Sequence, residues 1–164
     1  MKNSRIFFVK MRTIEIIGGK NEISLSCTSS NHFWRVCSSR EIGADNTFLP
    51  GGYVEQGESA EKALIREIEE EIGYDARIIS FLGAVEATCK KDEVLYSELN
   101  LIFNVRLSSA KYDKPVSSKE SHLEFVWVKR SEIKHYNLLP EPMVNLVNTY
   151  LNKINAFWGT RIEN

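Results

Sequence analysis

The sequence has no cysteine framework, no long apolar run and no excess of charge of either sign. Its three cysteines, Cys27, Cys37 and Cys89, are an odd number at wide spacings. They therefore form neither a disulfide framework nor a CxxC metal-binding pair. We expect free, buried thiols in a reducing compartment, which favours a cytoplasmic location.

Long hydrophobic stretches are also missing, and this argues against a membrane protein. No apolar run approaches the roughly 20 residues that a membrane-spanning helix needs. Near the amino terminus, residues 6–9 form a short apolar core that is followed at once by Lys10 and then Arg12. Such a core is too short for a signal peptide. No membrane partner is expected.

The charges nearly cancel, because 21 basic residues face 22 acidic ones and the net charge is −1 at pH 7. Such a chain has no general attraction for nucleic acid or for anionic membranes. Nucleic acid is therefore not expected as a partner. A small, locally basic substrate pocket remains compatible with this composition.

The length of 164 residues favours one compact domain. No internal repeat, low-complexity tract or linker rich in proline and serine divides the chain. We expect an N-terminal extension over residues 1–10, a single domain over residues 11–155 and a C-terminal tail over residues 156–164. Both Met1 and Met11 remain open as the start of translation.

Apolar periodicity and turn residues predict a mixed α/β chain with two main helices. The first begins after Ser59, a good N-cap residue, and ends at Gly73, where a C-terminal cap belongs. Apolar residues at helical spacing predict the second helix over residues 140–154. The remaining predictions are strands over residues 13–17, 22–27, 32–37, 76–85, 94–107 and 123–128, loops over 38–46 and 112–121, and a short helix over 131–135.

The first helix carries an unusual concentration of acidic residues, Glu67, Glu69, Glu70 and Glu71. On a helix drawn at about 100° per residue, Glu67, Glu70 and Glu71 share one arc, whereas Glu69 points elsewhere. The three lie in the second half of the helix, where the macrodipole disfavours negative charge. A solvated acidic face is one interpretation. A metal site is the other, because hard divalent cations prefer carboxylate oxygens.

The loop before the helix extends this acidic cluster into a longer motif. Gly52, Glu58 and the run REIEEEIGY over residues 66–74 resemble the Nudix box, G-x5-E-x7-R-E-U-x-E-E-x-G-U. Only Tyr74 departs from the pattern, at a position where an aliphatic residue is usual. The preceding FLPGGYVE, residues 48–55, also looks like the family's lead-in. The resemblance implies an α+β protein with the Nudix α/β/α sandwich, in which a mixed sheet supports the loop–helix motif.

Membership of this family implies an enzyme. Nudix hydrolases cleave a phosphoanhydride bond in a nucleoside diphosphate linked to another group X, with Mg²⁺ or Mn²⁺ as the cofactor. We expect a small nucleotide substrate of the nucleoside triphosphate, nucleotide sugar or ADP-ribose type, and a homodimer is compatible with the family. A non-catalytic nucleotide-sensing module of the same fold and an RNA 5′-end pyrophosphohydrolase are the alternatives. The complete set of box carboxylates argues against the sensing module, and the near-neutral charge argues against the RNA pyrophosphohydrolase.

The resemblance also implies roles for individual residues of the box. Glu67, Glu70 and Glu71 would be the metal-binding and catalytic cluster, with the carbonyl of Gly52 as a further metal ligand. Arg66 would pair with Glu58 to orient the loop and the carboxylates, and in that sense it belongs to the catalytic set.

Outside the box, the family's general base is sometimes a glutamate on a later loop. Glu120 is the candidate here, with Glu98 and Glu124 as weaker ones, and simple solvation is the alternative for each. Weaker candidates for substrate contact, each with packing or surface exposure as the alternative, are Arg35, Arg40, Tyr53 and His122.

Overall fold

The computed structural model describes residues 6–13, 35–91, 94–108, 116–149 and 157–160. Six strands, two α-helices and one 3-10 helix cover most of these residues. In chain order they are β1 (Ile6–Thr13), β2 (Arg35–Glu41), α1 (Ala60–Ile72), β3 (Ala76–Lys91), β4 (Val94–Leu107), β5 (Leu123–Lys129), the 3-10 helix (Arg130–Tyr136), α2 (Pro142–Thr149) and β6 (Phe157–Thr160).

The strands form two sheets. The larger sheet has the order β1-β4-β3-β6, in which β4 runs antiparallel to both of its neighbours and β6 runs parallel to β3. The smaller sheet pairs β2 with β5 in antiparallel register. The larger sheet is therefore mixed, and the predicted α+β class is confirmed.

Helices cover both sides of these sheets. On one side, Leu64 and Ile68 of α1 are fully buried and belong to one apolar cluster with Phe103 of β4 and Phe125 of β5. On the other side, Ile102 of β4 belongs to a second cluster with residues of α2 and the 3-10 helix, including Ile133, Met143, Leu146 and Val147. Because successive side chains of a strand point to opposite faces, β4 contributes to both cores. The result is an α/β/α sandwich.

Helix α1 has the ends that its sequence predicts. The hydroxyl of Ser59 accepts a hydrogen bond from the backbone N–H of Lys62 at 3.3 Å. Gly73 has a left-handed φ of 71° and donates its N–H to the carbonyls of Ile68 and Glu69. Helices α1 and α2 contain 13 and 8 residues. No helix in the described part of the chain is long and apolar enough to span a membrane.

The loop predicted over residues 38–46 is wrong at its start, because β2 continues to Glu41. Ser38 and Ser39 are fully buried in this strand. Burial of Ser39 is tolerated since its hydroxyl donates a hydrogen bond to the carbonyl of Phe48 at 3.2 Å. Polar composition alone therefore misplaced the end of the strand.

Other element boundaries differ in length. Strand β3 continues beyond the predicted residue 85 to Lys91, and α2 begins at Pro142, two residues after the predicted start. The described part of the predicted strand 32–37, residues 35–37, lies in β2. Thr13 is the last residue of β1, and the rest of the predicted strand 13–17, the strand 22–27 and the end of the second helix lie outside the described residues.

Two paired segments lie beyond the expected domain limits of 11–155. Residues 6–10 of β1 pair with residues 100–104 of β4, and β6 pairs with residues 83–86 of β3. Backbone pairing needs no distinctive side-chain pattern, and β6 is only four residues long. The apolar residues 6–9 are typical of a strand, whereas β6 is too short to give a clear signal in the sequence.

Candidate active site

The guanidinium of Arg66 joins the loop before α1 to the carboxylates on α1. Its Nε and Nη2 donate to the two carboxylate oxygens of Glu58, each at 3.1 Å, and Nη2 also donates to the carbonyl of Tyr53 at 3.1 Å. Its Nη1 donates to Glu67 at 2.8 Å and to Glu70 at 3.0 Å. One cation is thus shared by three carboxylates. The structure brings Arg66 and Glu58 together as a bidentate pair, the strongest geometry for such a contact.

Glu58 is itself fixed by the turn that carries it. Its carboxylate accepts the backbone N–H of Glu55 at 3.2 Å, and its own N–H donates to the carbonyl of Glu55 at 3.0 Å. The hydrogen bonds from Arg66 are the main reason why the pKa of Glu58 lies below its ordinary value. Glu58 therefore stays ionised and anchors the guanidinium.

Glu67 packs directly on the backbone of the glycine loop. A Cβ atom built at Gly52 would overlap the Glu67 carboxylate. Burial raises the pKa of Glu67, while the hydrogen bond and charge of Arg66 oppose this rise. The structure therefore places the predicted ligands Gly52 and Glu67 side by side.

Glu71 is the most buried carboxylate of the cluster, with 7% of its surface exposed. Its Oε2 is buried without a hydrogen-bond partner among the described residues. Burial raises the pKa of Glu71 to about 8, and the negative charge of Glu67 adds to this effect, while a hydrogen bond from the backbone of Gly51 opposes it. A carboxylate that is buried and only partly satisfied is costly for stability, and this makes Glu71 a candidate for a functional position.

Glu120 lies at the edge of this cluster. Its charge is close enough to contribute to the raised pKa of Glu71. Its Oε2 lies 3.7 Å from Nδ1 of His122, and the side chains of Glu120 and His122 are 47% and 64% exposed. The structure thus brings these two predicted residues together, beside the carboxylates and open to solvent.

Several other candidates lie elsewhere or have other partners. Arg40 is opposite Glu124 in the β2–β5 register and donates its Nε to that carboxylate at 2.6 Å, so each of the two is engaged by the other. Glu98 is buried on the face of β4 that also carries Ile102, turned away from α1. Tyr53 offers its carbonyl to Arg66, whereas the side chain of Arg35 is outside the described set.

Lys119 makes a contact in this region that the sequence did not predict. Its Nζ donates to the carbonyl of Glu69 at 2.9 Å, at the end of α1. The last turn of α1 contains no basic residue of its own. A cation at the C-terminal end of a helix is stabilising, but nothing in the local sequence indicates that a lysine from another segment supplies it.

The donor set has the chemistry of a site for a hard divalent cation. Carboxylate and carbonyl oxygens are its preferred ligands. Burial is the main cause of the raised pKa values of Glu67 and Glu71, and Oε2 of Glu71 has no hydrogen-bond partner among the described residues, so a bound cation would stabilise the charged form of these carboxylates. However, no three Asp, Glu, His or Cys side chains in the described ranges are arranged as a finished metal cage. Glu67 and Glu70 are instead turned to Arg66. A cation would have to share these two carboxylates with Arg66.

A protein-family model for the NUDIX domain matches residues 18–147. The chain therefore belongs to the Nudix family, and the family predicted from the box is confirmed. Among solved structures, the mutator MutT protein from Bacillus halodurans has a similar fold, with a TM-score of 0.56 over 77% of this chain and 80% of that one. At 19% sequence identity, this likeness concerns the fold alone.

Two relatives illustrate the range of the similarity. A candidate 8-oxo-dGTP diphosphatase from Bacillus subtilis is 49% identical over 45 residues, which are 27% of this chain and only 30% of that protein. The nucleoside triphosphatase NudI from Klebsiella pneumoniae is 31% identical over 123 residues, 65% of this chain and 81% of the relative. The first similarity is confined to a short segment, whereas the second extends over most of the relative.

Proposed function

We propose that this chain is a divalent-metal-dependent Nudix hydrolase that cleaves a phosphoanhydride bond in a nucleoside diphosphate linked to another group X. The observation that carries the proposal is the buried Oε2 of Glu71, which lies beside Glu67 in an intact Nudix box and has no hydrogen-bond partner within the described part of the chain. A buried carboxylate oxygen without a partner is unfavourable unless a ligand uses it. Hydrolysis at phosphorus needs such a concentration of ligands for charge stabilisation.

The proposed metal is Mg²⁺ or Mn²⁺, held by Glu67, Glu70 and Glu71 and by the carbonyl of Gly52. When bound, the metal would neutralise the diphosphate and make the attacking water more acidic. The chain's own contribution is to present these oxygens together. Arg66 orients Glu67 and Glu70, and it is held in turn by Glu58.

Glu120 is the proposed general base. It is exposed, so it can reach a water molecule, and it is near enough to Glu71 to affect that residue's pKa. His122 would contact the substrate from the same segment, together with Arg35 and the side chain of Tyr53. Arg40 is a weaker member of this group, since its guanidinium already pairs with Glu124.

A nucleoside triphosphate is the proposed substrate class, because the relative matched over 81% of its length is a nucleoside triphosphatase. Shorter matches are to a candidate 8-oxo-dGTP diphosphatase and to an ADP-ribose pyrophosphatase. Nucleotide sugars and ADP-ribose remain in the test because the family cleaves many derivatives of a nucleoside diphosphate. We place the enzyme in the cytoplasm and allow for a homodimer. Size-exclusion chromatography with light scattering tests whether the protein is a homodimer.

A nucleotide panel tests the proposed activity. Deoxynucleoside triphosphates, 8-oxo-dGTP, nucleotide sugars, ADP-ribose and dinucleoside polyphosphates are incubated with Mg²⁺, Mn²⁺ or EDTA, and the products are separated by ion-exchange chromatography. We expect metal-dependent release of a nucleoside monophosphate or of phosphate from at least one class. Tight binding of a nucleotide without turnover would instead identify a sensing module. No binding and no turnover would contradict both functions.

A further inference from the structure

The segment Val116–His122, which contains Glu120, is attached to the end of α1 by Lys119. The backbone N–H of Lys119 donates to the carbonyl of Glu71 at 2.7 Å, and its Nζ donates to the carbonyl of Glu69 at 2.9 Å. Both acceptors are in the last turn of α1, and Glu71 is itself a carboxylate of the proposed cluster. A single residue therefore ties the Glu120 segment to the helix that carries the metal ligands.

Gly73 provides the space for this attachment. A Cβ atom built there would lie 2.6 Å from Cε and 3.2 Å from Nζ of Lys119, so the lysine stem lies directly over the glycine. The ammonium group also supplies the positive charge that the C-terminal end of a helix favours. Since α1 has no basic residue in its last turn, Lys119 complements the helix from another part of the fold.

The conformation around Glu120 makes this attachment effective. The hydroxyl of Ser118 donates a hydrogen bond to the carbonyl of Glu120 at 2.7 Å. It also accepts one from the backbone N–H of Glu120 at 3.1 Å. At its other end the segment is held by the bridge between Val116 and Phe125 of β5. On the following side, the backbone N–H of Leu123 donates to the carbonyl of Glu120 at 3.3 Å, and that of Ile42 donates to the carbonyl of His122 at 3.0 Å. With both sides of Glu120 fixed locally, the contacts of Lys119 set the position of the segment relative to α1.

We propose that Lys119 is a positioning residue that holds Glu120 beside the carboxylate cluster by anchoring the Glu120 segment to the end of α1. This inference rests on the proposed hydrolase function. Lys119 does not transfer a proton. It fixes the base at a constant place relative to Glu71, and small displacements of a catalytic group strongly reduce turnover.

Substitution of Lys119 tests the inference. Lys119→Met keeps most of the aliphatic stem over Gly73 but removes the ammonium group, while Lys119→Arg restores a cation that can reach the Glu69 carbonyl. We expect kcat to fall by roughly 10- to 100-fold in Lys119→Met, with KM for the nucleotide changed less than threefold, and to recover in Lys119→Arg. Lys134→Met, the same change at an exposed lysine of the 3-10 helix, should leave both parameters unchanged.

A double variant shows whether Lys119 acts through Glu120. In the Glu120→Gln background, Lys119→Met should cause little further loss of kcat, because the group it positions is already disabled. An undiminished loss in that background, or an unchanged kcat in the single variant, would overturn the inference and leave the hydrolase function intact.

Hydrogen–deuterium exchange separates the inference from the proposed function, since it needs no activity. Peptides covering residues 116–122 should exchange faster in Lys119→Met than in the wild type, and at the wild-type rate in Lys119→Arg. Lys119→Met leaves the backbone hydrogen bond to Glu71 in place and removes only the contact of Nζ with Glu69, so unchanged exchange in this variant would overturn the anchoring role of the Lys119 side chain. A wild-type chain that cleaves nothing in the nucleotide panel would overturn the proposed function, and exchange would still decide whether Lys119 anchors the segment.

Discussion

The backbone of Gly52 lies against the carboxylate of Glu67, with no room between them for a side chain. The φ angle of Gly52 is outside the left-handed region, so the requirement for glycine at this position is one of space. The contact sets the distance between the loop and α1. It also brings together Gly52 and Glu67, two residues of the proposed site.

Replacing Gly52 with alanine should displace Glu67. We expect Gly52→Ala to lower metal-dependent turnover at least about tenfold but to change the unfolding free energy little, because the overlapped atoms are the flexible end of the Glu67 side chain. Steady-state kinetics at several Mg²⁺ concentrations and urea unfolding measure the two effects. Gly43→Ala is the control, because its φ of 89° makes alanine strained but nothing lies within 4 Å of the new atom. Full activity in Gly52→Ala would contradict the packing argument.

Removing single charges from the acidic helix should separate Glu70 and Glu71 from Glu69. We expect Glu70→Gln and Glu71→Gln to reduce turnover by roughly 100-fold or more, because each removes a charge from the proposed metal site. Glu69→Gln, on the same helix, should retain activity. Circular dichroism and the melting temperature should show an intact fold in all three. Persistent activity in both Glu70→Gln and Glu71→Gln would show that the metal-site assignment is wrong.

The stability of the metal-free protein should fall as the pH rises from about 5 to 8. The pKa of Glu71 is raised from an ordinary 4.5 to about 8, and that of Glu67 is also raised, so the folded state binds more protons than the unfolded state in this window. We expect a loss of roughly 2–4 kcal/mol of unfolding free energy, since a tenfold change in proton affinity corresponds to about 1.4 kcal/mol. Urea unfolding in EDTA at several pH values measures it.

Two comparisons test the origin of this pH dependence. Glu71→Gln should flatten the curve, because glutamine has no charge to bury. Mg²⁺ should restore stability at pH 8 in the wild type and much less in the variant. If the unfolding free energy of the wild type in EDTA does not change between pH 5 and 8, burial does not raise the pKa of Glu71.

Arg66 should not tolerate replacement by lysine. A lysine cannot reproduce the bidentate contact with Glu58, and it cannot reach Glu67, Glu70 and the Tyr53 carbonyl together. We therefore expect Arg66→Lys to cost roughly 1–3 kcal/mol of unfolding free energy. The comparison is Arg40→Lys. Arg40 pairs with the half-exposed Glu124, so this change should cost less than about 1 kcal/mol of unfolding free energy. Chemical unfolding of both variants decides the point, and equal costs would argue against Arg66 as the centre of the network.

Glu120 should affect turnover without affecting metal binding. If it is the general base, Glu120→Gln lowers kcat by roughly 100-fold, while the Mn²⁺ affinity measured by electron paramagnetic resonance stays within about threefold. An unchanged kcat would remove Glu120 from the mechanism.

The sequence predicts helix α1 and its acidic face well because the information there is local. Ser59 and Gly73 define the ends of the helix, and the spacing of Glu67, Glu70 and Glu71 determines their common arc. These features depend on residues within a few turns of one another. The Nudix box adds the preceding loop, and with it the family and the sandwich fold.

What the sequence did not reveal depends on contacts between distant segments. Whether Arg40 faces a substrate or a carboxylate is decided by the register of β2 against β5, which places it opposite Glu124. Lys119 reaches α1 from a loop far along the chain, and the hydroxyl of Ser39 becomes acceptable in a buried strand only because Phe48 lies beside it. None of these pairings has a local signature.

The shared guanidinium of Arg66 has a consequence for the order in which this protein is assembled. In a zinc finger, the metal is the counter-charge, and the chain does not fold without it. Here the chain brings its own cation to the acidic helix, so the loop and α1 can form before any metal arrives. Loading of the proposed metal would then be a reversible exchange on a folded scaffold. A chelator should switch such an enzyme off without unfolding it.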